Sequence, residues 1–476
     1  MKMNFKGLLA SAKDNFLTSS IIYIFGSMLT TGLSFITTPI FTRLMSPEDY
    51  GIVSVFSIWV SVFSILVGLQ TFSTFANVKV KWPEDKFFPY MSSVLSFSCL
   101  CFFLISGVMF VFRDTFSAWM DMSPLLLAML LVQSFGVFAH NFYNSYLIQS
   151  KKAIQYLIIS VCYSVLNTGL SLLLVYIMKN ERYLGRIAGN TVVAAAFGLV
   201  FLVYILVKGK KFFYPKAWKY CLPLCIPIVL HNLSGLALGQ SDRVMLQKMS
   251  GDLETGIYSF AYMIASILSV LWNASNNAWV PWYYEHTKRG ETEKINQVAR
   301  KYIMLFSIGT CLIMLMSPEV MRIMGPREYW SAGRVISVVI YGIYFNYLYT
   351  FAVNYEFYRE NTRWIAFGTT VTAVINIVLN YYMIRLWGGM GAAIATLISY
   401  FLLFLFHNLI VHRMGGYNIH RKLCLIGIGI TSFGFLTIQL TYDFTFIRWG
   451  VILIVGILVL LKYRNEISSL LKKIKR

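Results

Sequence analysis

Long apolar runs follow one another through the whole chain, and each is long enough to cross a lipid bilayer. A helix needs about 20 apolar residues for this, because it rises about 1.5 Å per residue. The 476 residues are 57% hydrophobic and only 13% charged, whereas roughly a quarter of the residues in a soluble protein are charged. The sequence therefore predicts an all-α polytopic membrane protein with about fourteen transmembrane helices. The predicted spans cover residues 16–41, 51–77, 88–112, 122–149, 154–178, 184–207, 217–246, 257–284, 298–316, 331–358, 364–384, 390–411, 423–440 and 446–461.

The net charge of +21 is distributed unevenly between the two sides of the membrane. If the spans alternate in direction, segments on the side of the N-terminus hold 29 of the 41 Lys and Arg residues but only 9 of the 20 Asp and Glu residues. Short loops rich in Lys and Arg remain in the cytoplasm. We therefore expect both termini to be cytoplasmic, and the charge requires no nucleic-acid partner.

The joint between the first two spans has a second copy about half a chain later, which predicts two structurally similar halves. Each half has an even number of spans, so both copies enter the membrane from the same side. We expect two parallel six-helix bundles around a central cleft, as in transporters, plus a C-terminal helix pair. The predicted domains are residues 1–207, a basic linker 208–219, a second bundle 220–413, and the pair with its basic tail 414–476. The matched residues, 205 positions apart, are Arg43, Leu44, Asp49, Gly51, Ile52 and Ser54 with Lys248, Met249, Glu254, Gly256, Ile257 and Ser259.

Polar side chains inside the spans are candidate functional residues. A charge at the bilayer centre costs about 2.5–3.5 kcal/mol on insertion scales, so such groups usually face a cavity or a neighbouring helix. Helix packing is an equally good interpretation of the Ser and Thr residues. The amides of Asn273, Asn276 and Asn277 favour a cavity, since with Ser275 they wrap too far round the helix for one packing seam.

Charged residues near the span ends have two interpretations. Arg43 and the Asp242–Arg243 pair could simply extend to the membrane interface. Alternatively, Arg43, Arg243 and Lys248 line the outer end of the cleft and attract an anionic group.

In the tenth span, Glu356 and Arg359 lie three residues apart, and we expect them to form an ion pair on one helix face. His140 lies in a polar patch with Asn144 in the fourth span. Histidine can carry protons, although a lone histidine in a helix is more often only hydrogen-bonded. Asp242, Glu356 and His140 are the candidate ion-coupling residues.

The sequence contains no Walker A motif, HExxH motif or zinc-ligand spacing, and we expect no cofactor, no metal and no catalytic residue. The connecting segments are also too short for a catalytic domain outside the membrane.

The two joints resemble those of the polysaccharide-unit flippases, the polysaccharide-transporter branch of the MOP exporter superfamily. In that family a TR-x-L-S-P-E-x-Y-G joint follows the first helix, and a DR-x-x-L…G-x-Y-s-x-A-y joint follows the seventh. Similar sequences occur here at residues 42–51 and 242–261, and WNASNNAWVPWYYE at 272–285 resembles the family's eighth helix.

The resemblance implies a flippase in the bacterial cytoplasmic membrane. Such proteins move an undecaprenyl-diphosphate-linked oligosaccharide from the inner to the outer leaflet by alternating access. The oligosaccharide is a repeat unit of lipopolysaccharide O-antigen, capsule or exopolysaccharide. Membrane lipid surrounds them, and a polysaccharide polymerase or glycosyltransferases are candidate partners. The implied diphosphate or gate contacts are Arg43, Arg243, Lys248, Arg359 and Arg363. The implied sugar contacts are Gln70, Asn144, Asn273, Asn276, Asn277 and Tyr347.

Two alternatives remain open. A small-molecule or multidrug antiporter of the same superfamily would be expected to use buried carboxylates, which are scarce in the N-terminal half. A membrane-embedded polysaccharide polymerase would be expected to have a long outer loop or an intramembrane cluster of His, Asp and Arg, and neither is evident.

Overall fold

The computed structural model describes residues 16–415, 417 and 419–474, and this part of the chain is helical without any strand. Three short 3₁₀ turns, Thr71–Thr74, Glu84–Lys86 and Arg327–Ala332, interrupt the α-helices. The α-helices in chain order are α1 Phe16–Leu44, α2 Pro47–Gly68, α3 Phe75–Lys81, α4 Phe87–Val111, α5 Arg113–Met120, α6 Pro124–Gln149, α7 Ala153–Ile177, α8 Arg182–Gly209, α9 Pro215–Ser250, α10 Asp252–Lys288, α11 Thr292–Met324, α12 Gly333–Tyr358, α13 Thr362–Met414, α14 Arg421–Thr441 and α15 Thr445–Ile474.

Among the described residues, eleven helices are long and apolar enough to cross a membrane. One of them, α13, has 53 residues and breaks at Trp387 and Gly388, where Gly388 has a φ of +53°. A side chain is strained at this backbone angle, so glycine suits the break. The two parts of α13 are the predicted eleventh and twelfth spans. With α1 and α15 added, the predicted all-α polytopic fold with about fourteen membrane helices is confirmed.

The contacts between residues divide the chain into two compact units. Unit 1 extends to Ser259 and unit 2 begins at Phe260, so the division falls inside α10. The domain boundary expected from the sequence repeat, at residues 208–219, stays a prediction. The termini expected in the cytoplasm include residues 1–15 and 475–476, which lie outside the described residues.

In unit 1, helix α2 has well-defined ends. Ser46 caps its N-terminus in a reciprocal capping box with Asp49, and Pro47 occupies the first turn. These side chains satisfy backbone N–H groups that no helical carbonyl can reach. The helix ends where Leu69 and Gln70 take positive φ angles of 44° and 53°. The chain therefore changes direction there and continues as a 3₁₀ turn and α3.

In unit 2, α12 is the most enclosed helix, with nearly every residue buried from Val335 to Glu356. It packs against α13 and against α11 and α14. Its aromatic side chains join those of the neighbouring helices, as where Tyr347 stacks on Phe306 with ring centroids 4.1 Å apart. Large rings fill this interior and exclude water from it.

The last helix, α15, is attached to unit 2 through a fully buried arginine. The Arg448 guanidinium donates to Glu319 Oε2 over 2.8 Å and to the carbonyl of Leu315 over 3.1 Å, both in α11, and to Thr445 Oγ1 over 3.2 Å. A buried charge is tolerated only when it is paired and hydrogen-bonded. This ion pair therefore holds the C-terminal helix against α11.

Candidate functional site

The two copies of the repeated joint pack directly against each other within unit 1. A Cβ atom on Gly51 would lie 2.9 Å from the backbone nitrogen of Gly256, and a Cβ atom on Gly256 would lie 3.0 Å from that of Gly51. Real Cβ atoms are not found so close to another backbone, so only glycine permits this approach. We call this end of unit 1, where α1 meets α2 and α9 meets α10, the joint end.

Cationic side chains gather at the joint end. Arg43 is exposed and donates to the Pro39 carbonyl over 2.8 Å. Lys248, its counterpart in the second copy, is also exposed, and Arg243, five residues before it, is half-buried. The three cations expected at one end of the cleft are therefore brought to one end of unit 1.

Two more arginines at the joint end were missed by the sequence analysis. Arg182 donates to the carbonyl of Leu44, and the Arg186 guanidinium lies over the Phe41 ring, 4.1 Å from its centroid. Both come from the start of α8, beside the apolar residues of the first joint. The sequence signal was the pair Arg182 and Arg186 at one end of the sixth span.

Asp242 is buried at the joint end and has a structural role. Its Oδ2 accepts a hydrogen bond from the Tyr258 hydroxyl over 2.5 Å, and its Oδ1 accepts one from the Arg243 backbone N–H over 2.8 Å. Because Asp242 is on α9 and Tyr258 on α10, the carboxylate ties the two helices of the second joint together.

An apolar groove of about 400 Å³ opens beside the cations of the joint end. Lys248 Nζ donates to the carbonyl of Trp119 and lies 5.8 Å from the centroid of its ring. The Trp119 ring, in turn, meets Trp59 edge-on with centroids 5.0 Å apart. Every lining side chain is apolar, and the groove is formed by Trp59, Val62, Phe63, Leu66, Leu104, Ile105, Val108, Met109, Phe116 and Trp119.

Elsewhere in unit 1, the fold brings two predicted polar residues together and holds a third at a chain break. Asn144 Nδ2 and His140 Nε2 are 3.3 Å apart, and the imidazole stacks on Tyr163 with centroids 4.1 Å apart. Gln70 lies in the break after α2, where its carbonyl accepts from Cys225 Sγ over 3.5 Å. This contact fixes the backbone of Gln70, and its side chain is half-exposed.

In unit 2, the amide cluster of α10 has both hydrogen-bonded and exposed members. Asn276 Oδ1 accepts a hydrogen bond from Asn354 Nδ2 on α12 over 3.0 Å, while Asn273 and Asn277 are exposed. Asn354 was not singled out from the sequence. Tyr347 is fully buried inside the aromatic cluster of α12, so a sugar could reach it only if these rings moved apart.

The expected ion pair between Glu356 and Arg359 is wrong. Helix α12 ends at Tyr358, and Arg359 beyond it is exposed, as is Arg363 at the start of α13. Glu356 instead contacts His407 from the second part of α13, with 2.7 Å between Oε1 and Nδ1. Nothing in the sequence near Glu356 pointed to this partner.

The chain is similar in sequence to a known protein family and to two proteins of one species. A family described as polysaccharide biosynthesis protein matches residues 16–287. An uncharacterized membrane protein of Haemophilus influenzae is 25% identical over 398 residues, which cover 80% of this chain and 91% of that protein. The Lsg locus putative protein 1 of the same species is 24% identical over 373 residues, or 75% of this chain and 88% of that protein.

Two solved structures share the fold. The lipid II flippase MurJ in an inward closed conformation superposes with a TM-score of 0.70 at 16% identity, covering 95% of this chain and all of that one. A multidrug resistance MATE transporter of the MOP superfamily, inward-facing, gives 0.64 at 14% identity and covers 83% of this chain and 98% of its own. The chain therefore belongs to the polysaccharide biosynthesis protein family, as the joint motifs predict, and has the fold of the MOP-superfamily transporters.

Proposed function

We propose that this protein is a flippase that moves an undecaprenyl-diphosphate-linked oligosaccharide repeat unit from the inner to the outer leaflet of the bacterial cytoplasmic membrane. The observation that carries the proposal is the contact between Lys248 and Trp119. It places a cation at the edge of a groove lined only by apolar side chains. A lipid with a phosphate head needs both features side by side.

The groove suits the hydrocarbon tail of such a lipid. Its lining offers no hydrogen-bonding group to water, and burying hydrocarbon is worth about 0.8 kcal/mol per CH₂ group. The tail can therefore stay in an apolar environment during transport, and only the head must cross.

The cations suit the diphosphate. Charge-assisted hydrogen bonds from Arg and Lys to phosphate are among the strongest in proteins. Arg43, Arg243 and Lys248 lie at the joint end, which the charge asymmetry assigns to the outer side of the membrane. Arg359 and Arg363, exposed around the junction of α12 and α13, are assigned to the cytoplasmic side by the same rule. The diphosphate would meet Arg359 and Arg363 before it crosses and the cations of the joint end after it has crossed.

The amides suit the sugars. Gln70 and Asn144 in unit 1 and Asn273 and Asn277 in unit 2 are at least partly accessible, and amide groups can donate to and accept from sugar hydroxyls. Asn276 holds Asn354, and would exchange this bond for one to the substrate. Transport by alternating access then requires two arrangements of the protein that bind the head group differently.

The relatives support a lipid-linked substrate. The similar MurJ structure is named a lipid II flippase, and the matching family is described by polysaccharide biosynthesis. The similar MATE structure is a multidrug transporter, which makes export of small molecules the second candidate function.

Deletion of the gene, followed by analysis of lipid-linked sugar intermediates, tests the proposal. We expect the complete repeat unit to accumulate on the cytoplasmic face.

Complementation with Lys248→Ala should restore less surface polysaccharide than complementation with Lys248→Arg. The control is Lys216→Ala, which changes an exposed lysine at the opposite, N-terminal end of α9. Repeat units accumulating on the outer face would identify a polymerase, and unchanged polysaccharide with a loss of dye export would identify an antiporter.

A further inference from the structure

Glu356 and His407 form a fully enclosed acid–base pair in unit 2. Both side chains have no exposed surface, and Glu356 Oε1 lies 2.7 Å from His407 Nδ1. The outward atoms of the pair, Glu356 Oε2 and His407 Nε2, have no hydrogen-bond partner among the described residues. Buried polar atoms are almost always satisfied, so an incompletely bonded pair of this kind calls for an explanation.

Among the described residues, the pair contacts aromatic side chains and backbone. Phe406 and the ring of Tyr349 meet the imidazole edge-on, with centroids 5.1 and 4.9 Å away. Backbone at Gly368, in the first part of α13, covers Nε2 so closely that a Cβ atom there would lie 2.6 Å from it. In the described part of the chain, no Lys or Arg forms an ion pair with Glu356.

In the described part of the chain, the titratable groups seen to interact with Glu356, or with its neighbour Tyr417, are hydroxyls and a thiol. Tyr349 on α12 and Tyr417 after α13 interact electrostatically with Glu356, and Tyr283 on α10 and Cys424 on α14 lie beyond Tyr417. None of these groups is a cation at neutral pH. The charge of the pair is therefore decided by its own protons.

The pair is neutral when it holds one proton, whether that proton is on the carboxyl or on the imidazole. Loss of the proton leaves a buried net charge of −1, and uptake of a second leaves +1. Both charged states are costly without water or a counter-ion. The packed arrangement described here therefore favours the one-proton state, and any change in proton number favours an arrangement in which water reaches the pair.

The position of the pair lets this preference act on the fold. Glu356 is on α12, His407 is after the break in α13, and Gly368 is before that break. We propose that Glu356 and His407 form the proton-binding site through which a transmembrane proton gradient drives the transport cycle. One proton passes from water to the pair, closes α12 against α13, and returns to water when the helices separate. The transported molecule in this inference rests on the proposed function, whereas proton binding by the pair does not.

A first experiment measures proton binding without transport. Infrared difference spectra of the full chain in lipid vesicles are recorded through a pH titration, for the wild type, Glu356→Gln, His407→Gln and the control Glu360→Gln, an exposed glutamate four residues on. We expect a titrating carboxyl signal that Glu356→Gln removes, His407→Gln shifts and Glu360→Gln retains. A spectrum that is the same in the wild type and Glu356→Gln overturns the inference, provided that both unfold at similar temperatures. If Glu356→Gln does not fold, the shift caused by His407→Gln decides.

A second experiment measures coupling. Proteoliposomes receive an undecaprenyl-diphosphate disaccharide probe and an imposed pH difference at zero membrane potential. With one proton per cycle, the steady-state ratio of probe between leaflets should change about tenfold per pH unit, because one unit is worth 1.36 kcal/mol. Glu360→Gln should keep this response, whereas in Glu356→Gln the ratio of probe between the leaflets should no longer follow the gradient. Flipping that ignores the gradient in the wild type overturns the inference alone. A wild type that never flips the probe overturns the proposed function, and the infrared titration then decides the inference.

Discussion

Gly51 and Gly256, which occupy equivalent positions in the two copies of the joint, lie against each other with no room for a side chain on either. A Cβ atom on Gly51 would be 2.9 Å from the backbone nitrogen of Gly256. The two copies of the sequence repeat thus meet in space, and each glycine serves as the packing surface for the other. The repeat is therefore a structural contact as well as a pattern along the chain.

Replacing either glycine should destabilise the protein. Gly51→Ala or Gly256→Ala forces the joints apart, and overpacking of this kind typically costs about 1–3 kcal/mol. The control is Gly235→Ala in α9, where no atom beyond the local helix backbone lies within 4 Å of the added Cβ and alanine favours the helix. Thermal unfolding of the purified protein in detergent measures the effect. Unfolding temperatures for Gly51→Ala and Gly235→Ala that agree would show that the contact is not needed for stability.

Arg243 is expected to be essential for transport but not for folding. Arg243→Ala should abolish surface polysaccharide while leaving the amount of protein in the membrane unchanged, because the variant loses a cation that would bind the diphosphate. Arg243→Lys, which keeps the charge, should retain part of the activity, and Arg385→Ala at an exposed position of α13 should behave like the wild type. Normal polysaccharide in Arg243→Ala would remove this residue from the site.

The buried ion pair of Arg448 and Glu319 should matter far more for stability than an exposed one. Arg448→Ala removes a fully buried arginine and leaves the Glu319 carboxylate, which is 20% exposed, without its partner. The loss of charge-assisted hydrogen bonds should cost about 1.5–3 kcal/mol. Arg334→Ala is the matched control, since its pair with Asp443 is exposed, with 3.5 Å between the atoms, and such pairs contribute about 0–1 kcal/mol. Thermal unfolding compares the two variants. Equal decreases in the unfolding temperature of Arg448→Ala and Arg334→Ala would show that burial of the ion pair does not add to its stabilising effect.

Outside the spans, Glu291 in the loop after α10 should titrate at unusually low pH. Its pKa is below the ordinary value, first because Lys294 Nζ donates to its carboxylate over 3.1 Å, and further because of the charges of Lys294, His286 and Arg289. Since this pKa is lower in the folded than in the unfolded protein, the contact stabilises the fold above the unfolded-state pKa, and the gain is lost as the pH falls through the folded-state value.

Lys294→Ala should therefore raise the pKa of Glu291 towards its ordinary value. NMR titration of ¹³C-labelled glutamate measures the change, and Lys288→Ala, a neighbouring exposed lysine that does not affect Glu291, is the control. An unchanged midpoint in Lys294→Ala would mean that the hydrogen bond does not persist in solution.

Some of the candidate site could be predicted because the information was local. The joint motif located Arg43, Arg243 and Lys248 near the ends of α1 and α9, since each is a fixed number of residues from a helix end. Their contact with a substrate stays a prediction. The pairing of Glu356 with Arg359 failed for the opposite reason. Helix α12 stops at Tyr358, and His407, 51 residues away, provides a buried partner that spacing along one helix cannot reveal.

By itself, the sequence determined the class of fold, the approximate spans and the repeat. Backbone groups in a bilayer must be hydrogen-bonded within the chain, so a long apolar run can form little other than a helix. Only the tertiary structure decided which face of each helix is buried: that Tyr347 is enclosed by other rings, that Trp119 and Lys248 border an apolar groove, and that Glu356 meets His407. Helices in lipid all have apolar surfaces, so hydropathy does not distinguish a face that meets another helix from one that meets lipid, and packing makes that choice.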